Sequence, residues 1–135
     1  MSDRIWFRPY TVADVGFFRD SLPKHLGIEF TEIGADFLRG RMPVDERTKQ
    51  PYGILHGGAS VALAETLGST AAGLVVDPDK YRVVGQEINA NHVRDFLHNH
   101  LLRFAGWPSQ HTGPGSSGRP SHQVRGHELN KRAFL

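Results

Sequence analysis

The spacing of apolar positions changes along the chain, and each change marks a different element. In GIEFTEIGADFLRGRMPV, residues 27–44, apolar side chains fall near every second position on either side of Gly34-Ala35, which predicts a β-hairpin. In HGGASVALAETLGSTAAGLVV, residues 56–76, they nearly encircle a helix of four or more turns. Such a helix is expected to lie buried rather than on a surface. Its small residues Gly68, Ala71, Ala72 and Gly73 permit close approach of a sheet or a second helix. RVVGQEINANHV, residues 82–93, reads as a further strand. Before the hairpin, Thr11 can cap a short helix through about Leu22, with Asp14 at the capping-box position. VDERTKQPYG is a polar loop ending in a turn signal, and DPDKY is a turn.

After Arg94 this grammar fails. Val and Ile number 14 in residues 1–94 and one, Val124, in residues 95–135. GPGSSGRPS has neither a helical nor a strand period and reads as linker, and only DFLHNHLLRFAGW could form a short helix. Charge divides at the same place. Residues 1–94 hold 11 Lys/Arg against 12 Asp/Glu, whereas residues 95–135 hold 5 against 2, so the net +2 belongs to the last third. We therefore expect one domain over 1–94 and a basic, Gly/Pro/Ser/His-rich, poorly ordered tail over 95–135.

A chain of 135 residues is large enough for a single core and too small for two. Cysteine is absent, which removes disulfides and thiolate chemistry. The N-terminal twenty residues lack an uninterrupted apolar core of signal-peptide length, so a cytoplasmic location is expected. Residues 54–76 approach membrane-span length, but His56 and Glu65 within them make a buried helix of a soluble protein the better reading.

Glu65 is the conspicuous residue of that helix, because burying a lone carboxylate costs several kcal/mol unless something pairs with it or uses it. RMPVDERTKQPYGILHGGASVALAETLGS, followed by VVGQEINANHVR, closely resembles the hotdog-fold acyl-CoA thioesterases. The nearest branch is that of the 1,4-dihydroxy-2-naphthoyl-CoA and 4-hydroxybenzoyl-CoA thioesterases, with PaaI-like relatives. The likeness covers roughly Ile5 to Arg94. It implies an α+β hotdog fold, an antiparallel sheet wrapped round a central helix at about 57–74. Family members complete that sheet with three more strands, and nothing in this sequence resembles them; an altered reading frame after about Arg94 would produce such a tail.

Thioester hydrolysis needs an activated water or nucleophile, and donors for the oxyanion that develops on the carbonyl. The helix start His56-Gly57-Gly58 offers unpaired amides, with Gly57 the candidate donor. Gly57 and Glu65 are eight residues apart, so a helix separates their backbones by about 12 Å. One chain cannot bring both to one carbonyl. Two such helices packed antiparallel about a two-fold axis set Glu65 of one chain opposite Gly57 of the other. Glu65 would then act as general base or as nucleophile; the competing reading is a buried carboxylate paired with Ser or Thr. His56 either orients the loop, caps it locally or donates to the carbonyl. The resemblance implies that Gln50 helps place substrate or water. Ser69, one turn beyond Glu65, either binds the acyl group or water or bonds the backbone at 65. Gly85, His92, Val93 and Arg94 match the family strand bordering the coenzyme A and acyl channel.

The expected partners are an acyl-CoA, with an aromatic acyl group, and further copies of the chain in a homodimer or homotetramer. No cofactor is expected. No metal site is expected either, since there is no Cys and no H-x3-H helix placed with a carboxylate. Asp45-Glu46 read as a solvated loop. No membrane or specific nucleic-acid partner is expected; the basic tail suits loose charge attraction at most. A hotdog dehydratase would ask for a His and acid pair on a different helix pattern. The remaining alternative is a non-catalytic, truncated remnant whose unclosed sheet exposes edges.

Overall fold

The hairpin forms where the alternation places it. In the computed structural model, which describes residues 4–16, 19–85, 88, 90 and 92 and the backbone of 100–105, 125–128 and 131–134, β1 (Glu29–Ile33) pairs antiparallel with β2 (Phe37–Met42). The register sets Glu29 opposite Arg41 and Ile33 opposite Leu38, with one irregularity between Phe30 and Glu32. Phe30, Leu38, Gly40 and Met42 face inward and are buried. On the outer face Arg41 pairs with Glu29 at 2.7 Å and Arg39 with Glu32 at 2.6 Å. Exposed pairs of this kind contribute under about 1 kcal/mol each, so the buried face carries the hairpin.

The expected helix from Thr11 to about Leu22 is divided. α1 (Val12–Val15) starts as anticipated, with the Asp14 carboxylate accepting from both the Thr11 amide and the Thr11 hydroxyl at 2.7 Å. It stops at Gly16, whose amide returns to the Val12 carbonyl. α2 (Leu22–Leu26) begins afresh after Ser21, with Pro23 in its first turn and Gly27 closing it at φ 69°. Two start signals within a dozen residues outweigh one continuous period.

α3 (Gly57–Val75) matches the central helix expected at about 57–74. Ser60, Leu63, Ala64, Leu67, Ala71 and Leu74 form its buried stripe, and the helix packs on β2 and on β3 (His100–Ala105). A Cβ at Gly40 would stand 3.0 Å from both Leu67 Cδ2 and the Glu29 carbonyl, so the bare strand lets the helix settle. Full burial, however, is not reached within one chain. Glu65, Thr66, Ser69 and Ala72, outside the buried stripe, are half-exposed.

Beyond Arg94 the backbone departs from the sequence reading, which found no closing strands and at most a short helix. β3, β4 (Arg125–Glu128) and β5 (Lys131–Phe134) extend the sheet in the order β1-β2-β3-β4-β5. Every neighbouring pair is antiparallel, and β3 runs opposite the whole of β2, from Phe37 facing Ala105 to Met42 facing His100. A ladder is made by main-chain N–H and C=O groups, and the free edge of β2 recruits them whatever the side-chain period of the segment. The strand expected over 82–93 is not formed by its described residues, 82–85, 88, 90 and 92. Both edges of β2 are taken by β1 and β3, which leaves such a strand only the outer edges.

Candidate active site

The polypeptide enters α3 through a loop fastened by one buried hydroxyl. Thr48, 1% exposed, donates from Oγ1 to the Pro43 carbonyl at 2.7 Å and accepts from the Asp45 amide at 3.0 Å. Its carbonyl receives the His56 amide at 2.8 Å. Between them the chain reverses: the Gln50 amide donates to the Ile54 carbonyl and the Gly53 amide to the Gln50 carbonyl, both at 2.9 Å. Gly53 sits at φ 82°, where a side chain would be strained. Gln50 is thus the half-buried root of a tight turn that ends one residue before the helix cap. Asp45 is held below the ordinary carboxyl range chiefly by hydrogen bonds from the Arg47 guanidinium, a local fastening of the same loop.

His56 is the N-cap of α3, and its Nδ1 accepts the Gly58 amide at 2.9 Å. The Ala59 and Ser60 amides reach the His56 carbonyl at 2.9 and 3.2 Å. Among the described residues the Gly57 amide has no acceptor. It stands at the positive end of the helix, the position a developing oxyanion requires. Ser60, 1% exposed, donates to the Gly57 carbonyl at 2.9 Å and lies 3.4 Å from His92 Nδ1. The imidazole rests on Gly57, where an added Cβ would meet His92 Nε2 at 2.9 Å.

Glu65 stands eight residues along, about 12 Å away by helical rise. Its side chain is half-exposed, and among the described residues its carboxylate has no hydrogen-bond or ion-pair partner. The neighbouring hydroxyls are turned to their own helix: Ser69 Oγ donates to the Glu65 carbonyl at 2.8 Å and Thr66 Oγ1 to the Ala62 carbonyl at 2.7 Å. What the carboxylate does touch is Gly85, where an added Cβ would lie 1.8 Å from Glu65 Oε1.

The structure therefore brings His56, Gly57 and His92 together at the start of α3, and Glu65, Ser69 and Gly85 at its middle. It does not bring Gly57 to Glu65 within one chain. Val93 and Arg94 lie outside the described residues. Sequence reasoning missed Thr48 and Ser60, since a small hydroxyl in a polar loop or a Gly/Ala/Ser run carries no signal of its own. Among the described residues no three His, Asp or Glu side chains are grouped to hold a metal ion, and no helix is long and apolar enough to cross a membrane.

Comparison with known proteins agrees with this architecture. Residues 52–110 match the model of the Thioesterase superfamily. The chain is 60% identical over 91 residues to the proofreading thioesterase EntH of Cronobacter turicensis, covering 67% of this chain and 66% of that one. Among solved structures it is similar to a mutant of thioesterase PA1618 from Pseudomonas aeruginosa, with TM-score 0.80, 34% identity, and coverage of 96% of this chain and 91% of that one. Thioesterase HI1161 from Haemophilus influenzae gives TM-score 0.75 at 38% identity, covering 95% and 87%. The chain belongs to the hotdog-fold thioesterase superfamily. It spans just under two thirds of the length of the curated relatives it matches.

Proposed function

We propose that this protein hydrolyses acyl-CoA thioesters, with Glu65 as the reacting carboxylate and the Gly57 amide as the oxyanion donor. The observation that carries the reading is a half-buried carboxylate that has no partner among the described residues, while the nearby hydroxyls bond elsewhere. A structural carboxylate would be expected to use them. Acting as base, Glu65 takes a proton from water as the oxygen adds to the thioester carbon. The negative charge moves to the carbonyl oxygen, where the Gly57 amide meets it. Collapse re-forms the C=O bond and expels the coenzyme A thiolate, which is then protonated. Acting as nucleophile, Glu65 adds to the thioester carbon, the C–S bond breaks to release the coenzyme A thiolate, and water cleaves the resulting anhydride to the free acid and the Glu65 carboxylate.

Because Gly57 and Glu65 of one chain stand about 12 Å apart, each site is formed by two chains of a homodimer, with a homotetramer as the larger assembly. His56 holds the cap from which the Gly57 amide projects, and Gln50, at the loop root, helps place water or substrate. Ser69, Gly85, His92, Val93 and Arg94 border the acyl and coenzyme A channel. The acyl group is aromatic, such as 1,4-dihydroxy-2-naphthoyl, which would place the enzyme in menaquinone biosynthesis in the cytoplasm; no cofactor is required. Residues 1–94 supply this chemistry, and residues 95–135 carry the basic charge and the backbone of β3 to β5.

Likeness to a proofreading thioesterase favours a second reading of the role, the removal of wrongly formed thioesters. Thiol release over a panel of coenzyme A esters separates the two, since preference for one aromatic ester supports the first and broad acceptance supports the second. Absence of release with every ester, from folded protein, supports a non-catalytic remnant.

A further inference from the structure

On the reading of Glu65 as the reacting group, we infer that Gly85 is the positioning residue of the site: its missing side chain determines where the Glu65 carboxylate rests. The atoms nearest a Cβ built at Gly85 all belong to that carboxylate, with Oε1 at 1.8 Å, Cδ at 2.4 Å and Oε2 at 2.6 Å. Backbone strain does not demand the glycine, because only Gly27 and Gly53 carry a positive φ among the described residues. Close approach does. No hydrogen bond or ion pair from a described residue holds the carboxylate, so the bare surface of Gly85 is what it packs on.

A methyl group added there would push on the free end of a flexible side chain rather than on backbone. The fold accommodates it by swinging Glu65 aside, and the cost falls on the chemistry. A misplacement of about 1 Å in a reacting group lowers the rate by about 10²-fold. A Gly85 that merely lines the substrate channel would instead act on binding.

The test compares Gly85→Ala, Glu65→Asp and the double variant in the full chain, using benzoyl-CoA as probe. Gly85→Ala is expected to lower kcat by about 10²-fold with KM within about twofold and an unchanged melting temperature. In the Glu65→Asp background the carboxylate is one methylene shorter and clear of the new methyl, so the same substitution should cost under about threefold. A raised KM with kcat retained, or equal losses in both backgrounds, overturns the proposal. Crystal structures of the unsubstituted protein and of Gly85→Ala decide the point without turnover. A changed Glu65 rotamer supports it and an unmoved carboxylate refutes it. If no ester is hydrolysed by the unsubstituted protein, the thioesterase reading falls, while the structures still judge Gly85.

Discussion

The start and the middle of α3 are built on opposite plans. Around Gly57 the polar atoms are tied to one another: His56 holds Gly58, and Ser60 bonds the Gly57 carbonyl and reaches His92. Among the described residues the Gly57 amide alone is left without an acceptor in that tied frame. Around Glu65 the hydroxyls turn back to the helix, and the carboxylate rests on a glycine with no described bond. A donor works best when it is fixed in advance, because reorganisation then costs nothing as charge develops. A base or nucleophile must keep its lone pairs free. On the proposed chemistry, the contrast gives each half of α3 one half of a reaction, and the helix length keeps those halves apart within a chain.

The contrast breaks most sharply at Glu65. Glu65→Gln keeps the shape and removes the charge, so kcat should fall by about 10³-fold while the melting temperature moves little. Activity retained in a thiol-release assay would strip Glu65 of its role, and a large drop in melting temperature would make it structural. At the other end, Gly57→Pro deletes the amide at a helix position where proline is tolerated. About 10²-fold in kcat should be lost. Gly57→Ala adds a carbon near His92 but keeps the N–H, so it should lose much less, and equal losses would refute the donor role.

His56→Ala removes the cap acceptor, which should cost about 1 kcal/mol in denaturant unfolding. His56→Asn, a better cap, should restore it. The smallest effect lies outside the site. Asp14 is held below the ordinary carboxyl value by hydrogen bonds from the Thr11 side chain and backbone. Its folded-state value being depressed, this fastening is complete at neutral pH and is lost as pH falls through that value. The difference in melting temperature between the parent and Asp14→Asn should therefore shrink from pH 7 to pH 3.

How much of this is written in the sequence follows from what each feature depends on. The hairpin and α3 were legible because their burial follows a period a reader can count, two for Phe30 and Leu38, and a long apolar run for Leu63 to Leu74. Glu65 was legible for the opposite reason, as a charge where the run has no place for one. The division into α1 and α2 depended on Gly16 and Pro23 overriding a plausible continuous helix. β3 to β5 escaped notice because each pairs through main-chain groups with the strand before it, and residues 95–135 carry no countable side-chain pattern. Within the site, the contacts of Gly85 with Glu65 and of Ser60 with His92 join residues twenty and thirty-two positions apart. Folding sets such distances, and one sequence alone does not print them.

The central claim, that amide and carboxylate meet only across two chains, is tested most directly by mixing. Glu65→Gln and Gly57→Pro protomers, each inactive alone, are unfolded together, refolded and assayed for thiol release. Shared sites require that a hybrid dimer carry both lesions in one pocket and none in the other, so activity should return to about a quarter of the parent level. A mixture as inactive as its two components would show that each chain works with its own Gly57 and Glu65, and would contradict the account.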